Sequence, residues 1–312
     1  MGVYQESPLA SSILQFKLLV RNHLTQAANS CIIVLERLFC FVGNLLQDYF
    51  MNNPLRNFSL MLEAMAELQP EIEAALPKPV PAAPSLTDSL SELGPLPREA
   101  LLLGLASDGL PVLLNLHDPH PGPLLVAADP GAGKTNLLGM IAQAATEMHT
   151  AGDVQFGVVT NYPDEWEHLA GLEHCVGIFP TYHDSAIDFL SSLSGWAHAN
   201  KGSQQSILLL VDDLESMEHI DFDARQTLRY LLLRGPSRRV WPIVTMNAER
   251  ALQVEAWLEA FRTRIFGNIQ DDRTADNLTG IQGSTLKHLQ SGLQFALREG
   301  DDWLKFWIPD VA

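Results

Sequence analysis

The sequence contains few cysteines, and their placement excludes two common kinds of stabilising site. Cys31, Cys40 and Cys175 are the only three in 312 residues, and no two of them form a Cys-x-x-Cys pair. An odd number of widely spaced thiols does not make a disulfide framework. A structural zinc site needs four ligands, and no histidine stands at ligand spacing from these cysteines. We therefore expect reduced thiols in a cytosolic protein.

Basic residues and long apolar runs are also scarce. Against 37 Asp and Glu there are 20 Lys and Arg, so that the net charge is −17. This charge repels nucleic acid at long range, and a DNA contact would need a local basic patch. The most apolar stretch, CIIVLERLFCFVGNLL, is interrupted by Glu36 and Arg37 and is shorter than a membrane span requires. The N-terminus shows no secretory signal. We expect no membrane span and a cytoplasmic location.

A proline-rich segment divides the chain. LPKPVPAAPS, at 76–85, has four prolines in ten residues, which favours an extended spacer and predicts a linker over 76–99. Before it, apolar residues recur in steps of three and four and predict a helical module over 1–75. This module either packs as a helical hairpin on the main domain or serves in oligomerisation or in docking a protein partner.

From residue 100 onward, apolar strands alternate with amphipathic helices. ALLLGL and LPVLLNL flank ASDG, which predicts a β-hairpin with Asp108 and Gly109 in the turn. Helices are predicted at about 135–148 and around 252–261, among others. This alternation predicts an α/β domain over 100–312, with a mostly parallel sheet flanked by helices. The predicted strands that follow the hairpin are PLLVAA, VQFGVVT, CVGIFP, SILLLVDD, VWPIVTM and TRIFGNI.

The loop after PLLVAA has the pattern of a phosphate-binding loop, G-x-x-x-x-G-K-[ST], except that Ala128 replaces the first glycine. Two glycines allow consecutive amides to point at phosphate oxygens, and the following helix adds its positive N-terminal field. Lys134 would reach the β- and γ-phosphates of ATP, and the Thr135 hydroxyl would coordinate Mg²⁺. The expected nucleotide-binding residues are Asp129, Pro130, Gly131, Ala132, Gly133, Lys134, Thr135 and Asn136.

Two further strand ends carry polar side chains that suit the same site. SILLLVDD ends in Asp212, which would hold the water shell of Mg²⁺, and Asp213, which would orient and activate the attacking water. The next strand, VWPIVTM, leads to Thr245 and Asn247. These two residues either contact the γ-phosphate or only form a turn at the strand end.

Arginine is concentrated in one part of the chain. Nine arginines and no lysine fall between Arg225 and Arg273. Arginine suits bidentate contact with phosphate, and one of these residues could reach a nucleotide held by a neighbouring subunit. Arg234, Arg238 and Arg264 stand nearest to predicted strand ends and are the candidates. The alternative is that they form surface ion pairs.

Over about two-thirds of its length the chain resembles the FtsK/HerA family of P-loop motor ATPases. The elements that carry the resemblance are LLLGLASDGLPVLLNL, AADPGAGKT, LLLVDDLESM, RGPSRRVWPIVTMN, FRTRIFGNI and LREGDDWLKFWIP, in this order. The resemblance implies a RecA-like core that binds ATP and Mg²⁺ and assembles as a homo-oligomeric, hexameric ring. Such rings pump DNA or drive protein export.

By matching position, the resemblance implies that Lys134 and Thr135 bind ATP and Mg²⁺, that Asp212 serves the metal and that Asp213 is the catalytic carboxylate. The family usually has Glu where this chain has Asp213, and its sensor Gln is replaced around Met246 and Asn247. A shorter carboxylate would slow hydrolysis.

Three functions remain open at this stage. The first is a ring motor that moves DNA or remodels a protein partner, and the second is a nucleotide-binding scaffold with slow hydrolysis. The third is an AAA+ ATPase, because ADPGAGKT also resembles the loop of that class. AAA+ proteins need a helical lid after the sheet, whereas this chain ends in a predicted strand pair.

Overall fold

The computed structural model describes residues 84–311 except 201, 203, 300 and 301. The predicted helical module at 1–75 and the first part of the predicted linker lie outside the described residues. The division of the chain into module, linker and ATPase domain therefore stays a prediction.

Within this part of the chain, strands and helices alternate as the sequence predicts from residue 100. The strands are β1 Ala100–Ala106, β2 Pro111–Asn115, β3 Leu124–Ala128, β4 Val154–Thr160, β5 Cys175–Pro180, β6 Ser206–Asp212, β7 Val240–Asn247, β8 Thr263–Phe266, β9 Gln294–Glu299 and β10 Asp302–Trp307. The α-helices are α1 Leu86–Leu93, α2 Lys134–Met148, α3 Glu167–Ala170, α4 Asp184–Ala199, α5 Phe222–Arg234, α6 Glu255–Leu258 and α7 Asp272–Thr279.

These strands form one sheet in the order β2-β1-β10-β9-β8-β3-β7-β6-β4-β5. The strands from β8 to β5 run parallel to one another, and the other four join by antiparallel pairing. The predicted mostly parallel sheet is confirmed. Because β3, β6 and β7 are parallel, their C-terminal ends meet at one edge, where the polar residues of the predicted site stand.

Helices cover both faces of the sheet, and strand β3 shows how. Leu124 and Val126 pack on one side with the apolar face of α2, whereas Leu125 and Ala127 pack on the other side with α4 and α5. All five β3 side chains are fully buried. A strand buried on both faces is apolar throughout, which explains why LLVAA shows no polar alternation.

Both predicted hairpins form. The β1–β2 turn contains Asp108 and Gly109, with Gly109 in the left-handed region at φ +83°. The Asp108 carboxylate accepts the N–H of Leu110 at 3.1 Å, an Asx contact that fixes the turn. Near the C-terminus, β9 and β10 pair antiparallel as the predicted strand pair of the tail, and β10 lies beside β1 in the sheet.

The predicted helix around 252–261 is wrong in its length. A 3-10 turn at Ala248–Gln253 and the single turn of α6 replace it. Val254 breaks the helical path at φ −115° and ψ +15°. Val254, Trp257 and Phe261 are nevertheless buried, while Leu252 is 86% exposed. The three- and four-residue spacing is thus satisfied by successive short turns, which periodicity alone cannot distinguish from a helix.

Three helices went unpredicted, of which α3 is a single turn. Helix α1 lies within the segment 76–99 that predicted a linker; Ser85 caps it by accepting the N–H of Asp88, and Leu86 is buried. The prolines that suggested a spacer all precede this helix. Helix α7 begins after an Asp271 cap and ends at Gly280 in the left-handed region. A capping Ser or Asp before the first turn and a left-handed glycine after the last turn are standard signals of helix termini.

Candidate nucleotide-binding site

The loop between β3 and α2 has the backbone of a phosphate cradle. Gly131 and Gly133 lie in the left-handed region, at φ +73° and +84°, where glycine costs least. Gly133 is the N-cap of α2, and no side chain caps it. The first turn of this 15-residue helix also carries no acidic residue. The N-terminus of α2 thus offers its amides and its positive field to an anion.

Ala128, which replaces the first glycine of the loop pattern, packs against Gly267, the residue that follows β8. Ala128 is fully buried. A Cβ built on Gly267 would lie 2.8 Å from the Ala128 methyl group, closer than side-chain carbons approach. The methyl group therefore fills the space that a side chain at Gly267 would need.

Lys134 folds over its own loop. Its Nζ donates to the carbonyl oxygens of Ala128 at 3.2 Å and of Asp129 at 2.9 Å. Burial lowers the pKa of Lys134, and surrounding carboxylates oppose this shift, Glu215 most and Asp212 next. The ammonium is therefore half-buried among acidic groups at the mouth of the loop, where a phosphate would replace the carbonyl contacts.

Thr135, Asp212 and Thr245 form one hydrogen-bonded cluster, although 77 and 33 residues separate them. The Thr135 hydroxyl donates to the Asp212 carboxylate, at 3.1 Å to Oδ2. The Thr245 hydroxyl lies 2.9 Å from Asp212 Oδ1. Asp212 is 6% exposed. Burial raises the pKa of this carboxyl, and the two hydroxyl contacts hold it down in part.

The Thr135–Asp212 pair fits Mg²⁺. It sets a hydroxyl and a carboxylate oxygen side by side at the start of α2, and magnesium prefers such hard oxygen ligands. Among residues 84–311, apart from the four undescribed ones, no group of three His, Cys, Asp or Glu side chains could hold a metal. Two protein ligands, completed by phosphate and water, are the usual arrangement for magnesium.

Asp213 has an unusual backbone. Its φ of +88° and ψ of +87° place a non-glycine residue in a region that costs energy to occupy. Contacts on both sides hold it there: its N–H donates to Thr245 Oγ1 at 2.8 Å, and its carbonyl accepts the Ser216 hydroxyl at 2.6 Å. Its Oδ1 is buried without a hydrogen-bond partner.

Glu215 is the residue that the sequence interpretation missed. It is 4% exposed, and its Oε1 accepts the N–H of Asn247, at the end of β7, at 2.6 Å. Burial, with the Asp213 carboxylate as second cause, raises the pKa of Glu215 to about 8. Its Oε2 has no hydrogen-bond partner. The signal was present in DDLE, a third acidic residue just beyond a buried strand.

Thr245 and Asn247, the predicted γ-phosphate sensors, lie on the strand next to β3, which leads into the phosphate loop. Asn247 pairs in register with Ala128, and Thr245 with Val126 on the neighbouring strand β3. Thr245 also joins Asp212 to the backbone of Asp213. A turn at a strand end would not need this buried hydroxyl, so that Thr245 has a defined place in the site. Contact with a γ-phosphate stays a prediction for both.

The candidate arginines lie away from the loop of their own chain. Arg234 is exposed at the end of α5, and Arg238 precedes β7, whose opposite end carries Asn247. Arg238 contacts the carbonyl of Asn200 at 3.4 Å. Arg264 donates to the carbonyls of Leu278 at 3.1 Å and Leu258 at 2.8 Å, which fixes two chain segments. Action of any of them in a neighbouring subunit stays a prediction.

Two residues that are distant in sequence, Gln270 and Gly292, contact the phosphate loop. The Asp129 carboxylate accepts the N–H of Gln270 at 2.7 Å, and Gly292 donates its N–H to the Ala132 carbonyl at 3.2 Å. Pro130 and Asn136 are exposed beside these contacts. No local pattern predicts these two contacts, because Gln270 and Gly292 follow the loop by more than 130 positions.

Among the helices of the described part, none combines the length and apolar character that a membrane span would need.

Comparison with known proteins finds matches among solved structures alone. No protein-family model matches the chain, and no curated protein sequence matches it. EssC (ATPases 2 and 3) from Geobacillus thermodenitrificans matches with a TM-score of 0.61 and 13% identity, over 75% of this chain and 48% of that one. Thermomonospora curvata EccC (ATPases 2 and 3), in complex with a signal sequence peptide, matches with a TM-score of 0.57 and 16% identity, over 75% and 44%.

A third match is the pCW3 conjugation coupling protein TcpA with ATPγS, at a TM-score of 0.51 and 13% identity over 74% of this chain and 71% of that one. The chain spans less than half the length of the EccC and EssC structures. These neighbours are P-loop ATPases of the FtsK/HerA type, and identities this low establish a shared fold and nothing finer. The protein has the mixed α/β fold of the RecA-like P-loop ATPases.

Proposed function

We propose that the protein binds ATP with Mg²⁺ and hydrolyses it, as an FtsK/HerA-like motor that works in a ring. The observation that carries this proposal is the 3.1 Å contact between Thr135 and Asp212 at the uncapped N-terminus of α2. One residue comes from the phosphate loop and the other from the end of a buried parallel strand. This is the pair that holds magnesium in P-loop NTPases.

Each side chain has a definite task in this proposal. Gly131 and Gly133 shape the amide cradle, and Lys134 turns from its own carbonyls to the γ-phosphate. Thr135 and Asp212 hold Mg²⁺, which would neutralise the charge that develops on the transferred phosphoryl group. Acidic residues beyond β6, beginning with Asp213, orient the attacking water.

Movement of a partner is the part of the proposal that rests most on the comparisons. Thermomonospora curvata EccC is a type VII secretion ATPase, and TcpA is a conjugation coupling protein. A homo-oligomeric ring, hexameric in the family that the sequence resembles, would let Arg234, Arg238 or Arg264 reach the nucleotide of the next subunit. The segment 1–75 would dock protein partners.

The direct test is release of phosphate from ATP by the full chain with and without Mg²⁺. We expect Lys134→Ala and Thr135→Ala to lower turnover by about 10²-fold or more, because each loses a contact to the transition state. Lys305→Ala, which removes an equally charged but exposed side chain on β10, should keep wild-type turnover. Turnover unaffected by Lys134→Ala would overturn the proposal.

A nucleotide-dependent scaffold is the second candidate. It is favoured by Asp213, one methylene shorter than the Glu expected at its position, and by the net charge of −17, which opposes a fast DNA pump. If the protein is such a scaffold, its assembly state should differ between ATP, ADP and no nucleotide, and ATP turnover should be slower than reassembly. Size-exclusion chromatography with light scattering under these three conditions measures it.

Adding duplex DNA to the turnover assay distinguishes DNA from a protein partner as the molecule that is moved. If DNA is moved, it should raise ATP turnover several-fold, and the effect should fade as salt increases from about 50 to 200 mM, because phosphate contacts release counterions. If turnover is indifferent to DNA, a protein partner is the better candidate.

A further inference from the structure

We propose that Glu215, in addition to Asp213, is a carboxylate that orients the attacking water, and that it ties the water position to strand β7. This assignment rests on the proposed ATPase function and refines it. The sequence pattern places the water-orienting residue directly after Asp212, at Asp213. The geometry points to the next acidic residue as well.

The turn after β6 brings Glu215 back over the sheet edge. Asp213, at φ +88°, reverses the chain, and a 3-10 helix at Leu214–His219 follows. The backbone of Asp213 is held by Thr245 and Ser216. Glu215 therefore does not continue along the strand axis; it lies against the end of β7, where its Oε1 accepts the Asn247 N–H at 2.6 Å.

The second oxygen of Glu215 is available for a ligand. The residue is 4% exposed, and its buried Oε2 accepts no N–H or O–H group. In the absence of nucleotide, a proton shared with the Asp213 carboxyl satisfies this oxygen, in line with the raised pKa of Glu215. Once that proton is lost, the buried oxygen needs a hydrogen-bond donor in the working state. A water molecule that donates one hydrogen bond to Oε2 would satisfy it.

The Glu215 carboxyl lies next to the phosphate loop, because Asn247, whose N–H it accepts, pairs in register with Ala128. Among the acidic side chains around Lys134, Glu215 acts most strongly on its ammonium group, ahead of Asp212. Lys134 is the side chain that reaches the γ-phosphate in P-loop enzymes. Glu215 also contacts the Asp213 carboxylate, whose own Oδ1 is unpartnered. The carboxyls of Glu215 and Asp213 thus lie together and near the lysine that is expected to reach the γ-phosphate.

The hydrogen bond from Asn247 also connects Glu215 to the phosphate loop. Asn247 stands at the end of the strand that lies between β6 and β3, and it pairs in register with Ala128 at the entry to the phosphate loop. A shift of the phosphate loop would therefore move the water-orienting carboxylate through one backbone hydrogen bond. The chain would link nucleotide contact to water placement without the family's usual sensor residue.

The test measures ATP turnover and ATP binding separately in the full chain. We expect Glu215→Gln to lower kcat at least ~30-fold, within the range for removal of a general base, with nucleotide affinity within about threefold of wild type, since the amide keeps the Asn247 contact. Asp213→Asn should lower kcat less. Glu215→Asp, which keeps the charge but shortens the reach, should fall between wild type and Glu215→Gln.

Other outcomes would overturn the assignment. Glu215→Gln turnover within threefold of wild type, with Asp213→Asn inactive, would leave Asp213 as the sole carboxylate. A parallel loss of binding, turnover and thermal midpoint in both Glu215 variants would mark Glu215 as a structural residue. In both cases wild-type turnover above that of Lys134→Ala keeps the ATPase function intact. Wild-type turnover no higher than that of Lys134→Ala would overturn both proposals.

Discussion

Gly133 and Gly292 meet backbone to backbone across the phosphate loop. A Cβ built on Gly133 would lie 2.6 Å from the Cα of Gly292, whereas one built on Gly131 would meet nothing within 4 Å. The two loop glycines therefore have different reasons to be glycine. Both adopt positive φ, but only Gly133 is also needed for the close approach of a second chain segment.

This difference predicts unequal effects of the same substitution. Gly131→Ala should lower the free energy of unfolding by about 1–2 kcal/mol, the cost of left-handed backbone in an L-residue. Gly133→Ala should lower it by clearly more, because the methyl group must also displace Gly292. Urea unfolding of the two variants measures the difference. Equal losses would show that the Gly292 segment moves aside freely.

The Thr245 hydroxyl is expected to hold the acidic turn together. Thr245→Val keeps the shape but removes the group that contacts Asp212 at 2.9 Å and accepts the Asp213 N–H at 2.8 Å. Leaving these buried groups unpaired should lower stability by about 1–3 kcal/mol, and ATP turnover should fall as Asp213 leaves its strained conformation. Thr245→Ser, which retains the hydroxyl, is the matched control and should lose much less in both measurements.

Ala128 and Gly267 should behave as a coupled pair. Gly267→Ala places a methyl group 2.8 Å from the Ala128 methyl and 3.1 Å from the Phe295 ring, and such overpacking costs about 1–3 kcal/mol. Ala128→Gly, which restores the usual loop glycine, should recover part of that loss in the double variant; the Phe295 contact limits the recovery. A double-mutant cycle in urea measures the coupling. Strictly additive losses would contradict it.

The sequence predicted the parts of the site that follow from local pattern and strand direction. The phosphate loop follows β3, and Asp212 ends β6. Because the C-terminal ends of parallel strands lie at one edge of the sheet, the loop and Asp212 could be placed together from the sequence. Glu215 could not be placed in this way, since its position depends on the positive φ of Asp213, which aspartate rarely adopts. Gly292 contacts the loop from 160 residues further along the chain, and no local pattern encodes that contact.

Arg264 is a residue for which the sequence suggested a role but could not show the contacts. Its sequence position near a strand end suggested a free guanidinium that reaches a neighbouring nucleotide. In the structure it bonds the carbonyls of Leu258 and Leu278, and burial lowers its pKa. Residue type and spacing showed a cation beside a strand, but the carbonyl groups that it contacts lie at the C-terminal ends of α6 and α7, whose positions only the fold defines.

The buried carboxyl of Glu215 predicts that stability depends on pH in the absence of nucleotide. Its pKa is raised from 4.5 to about 8, first by burial and then by Asp213. Between these two values the folded chain holds a proton that the unfolded chain has lost. The contribution of Glu215 to stability is therefore fully present below pH 4.5 and disappears as the pH rises through 8.

Glu215→Gln isolates this effect, because the amide has no proton to lose. The free energy of unfolding of wild type minus that of Glu215→Gln should fall steadily from pH 5.5 to pH 8.5 in urea titrations without Mg²⁺ or ATP. Subtraction removes the titration of the acidic groups that Glu215 does not contact, whereas Asp213, which it contacts, remains part of the difference. A difference that stays constant, or that rises with pH, would show that Glu215 is already ionised at neutral pH and that the Asn247 N–H and its surroundings suffice to stabilise the charge.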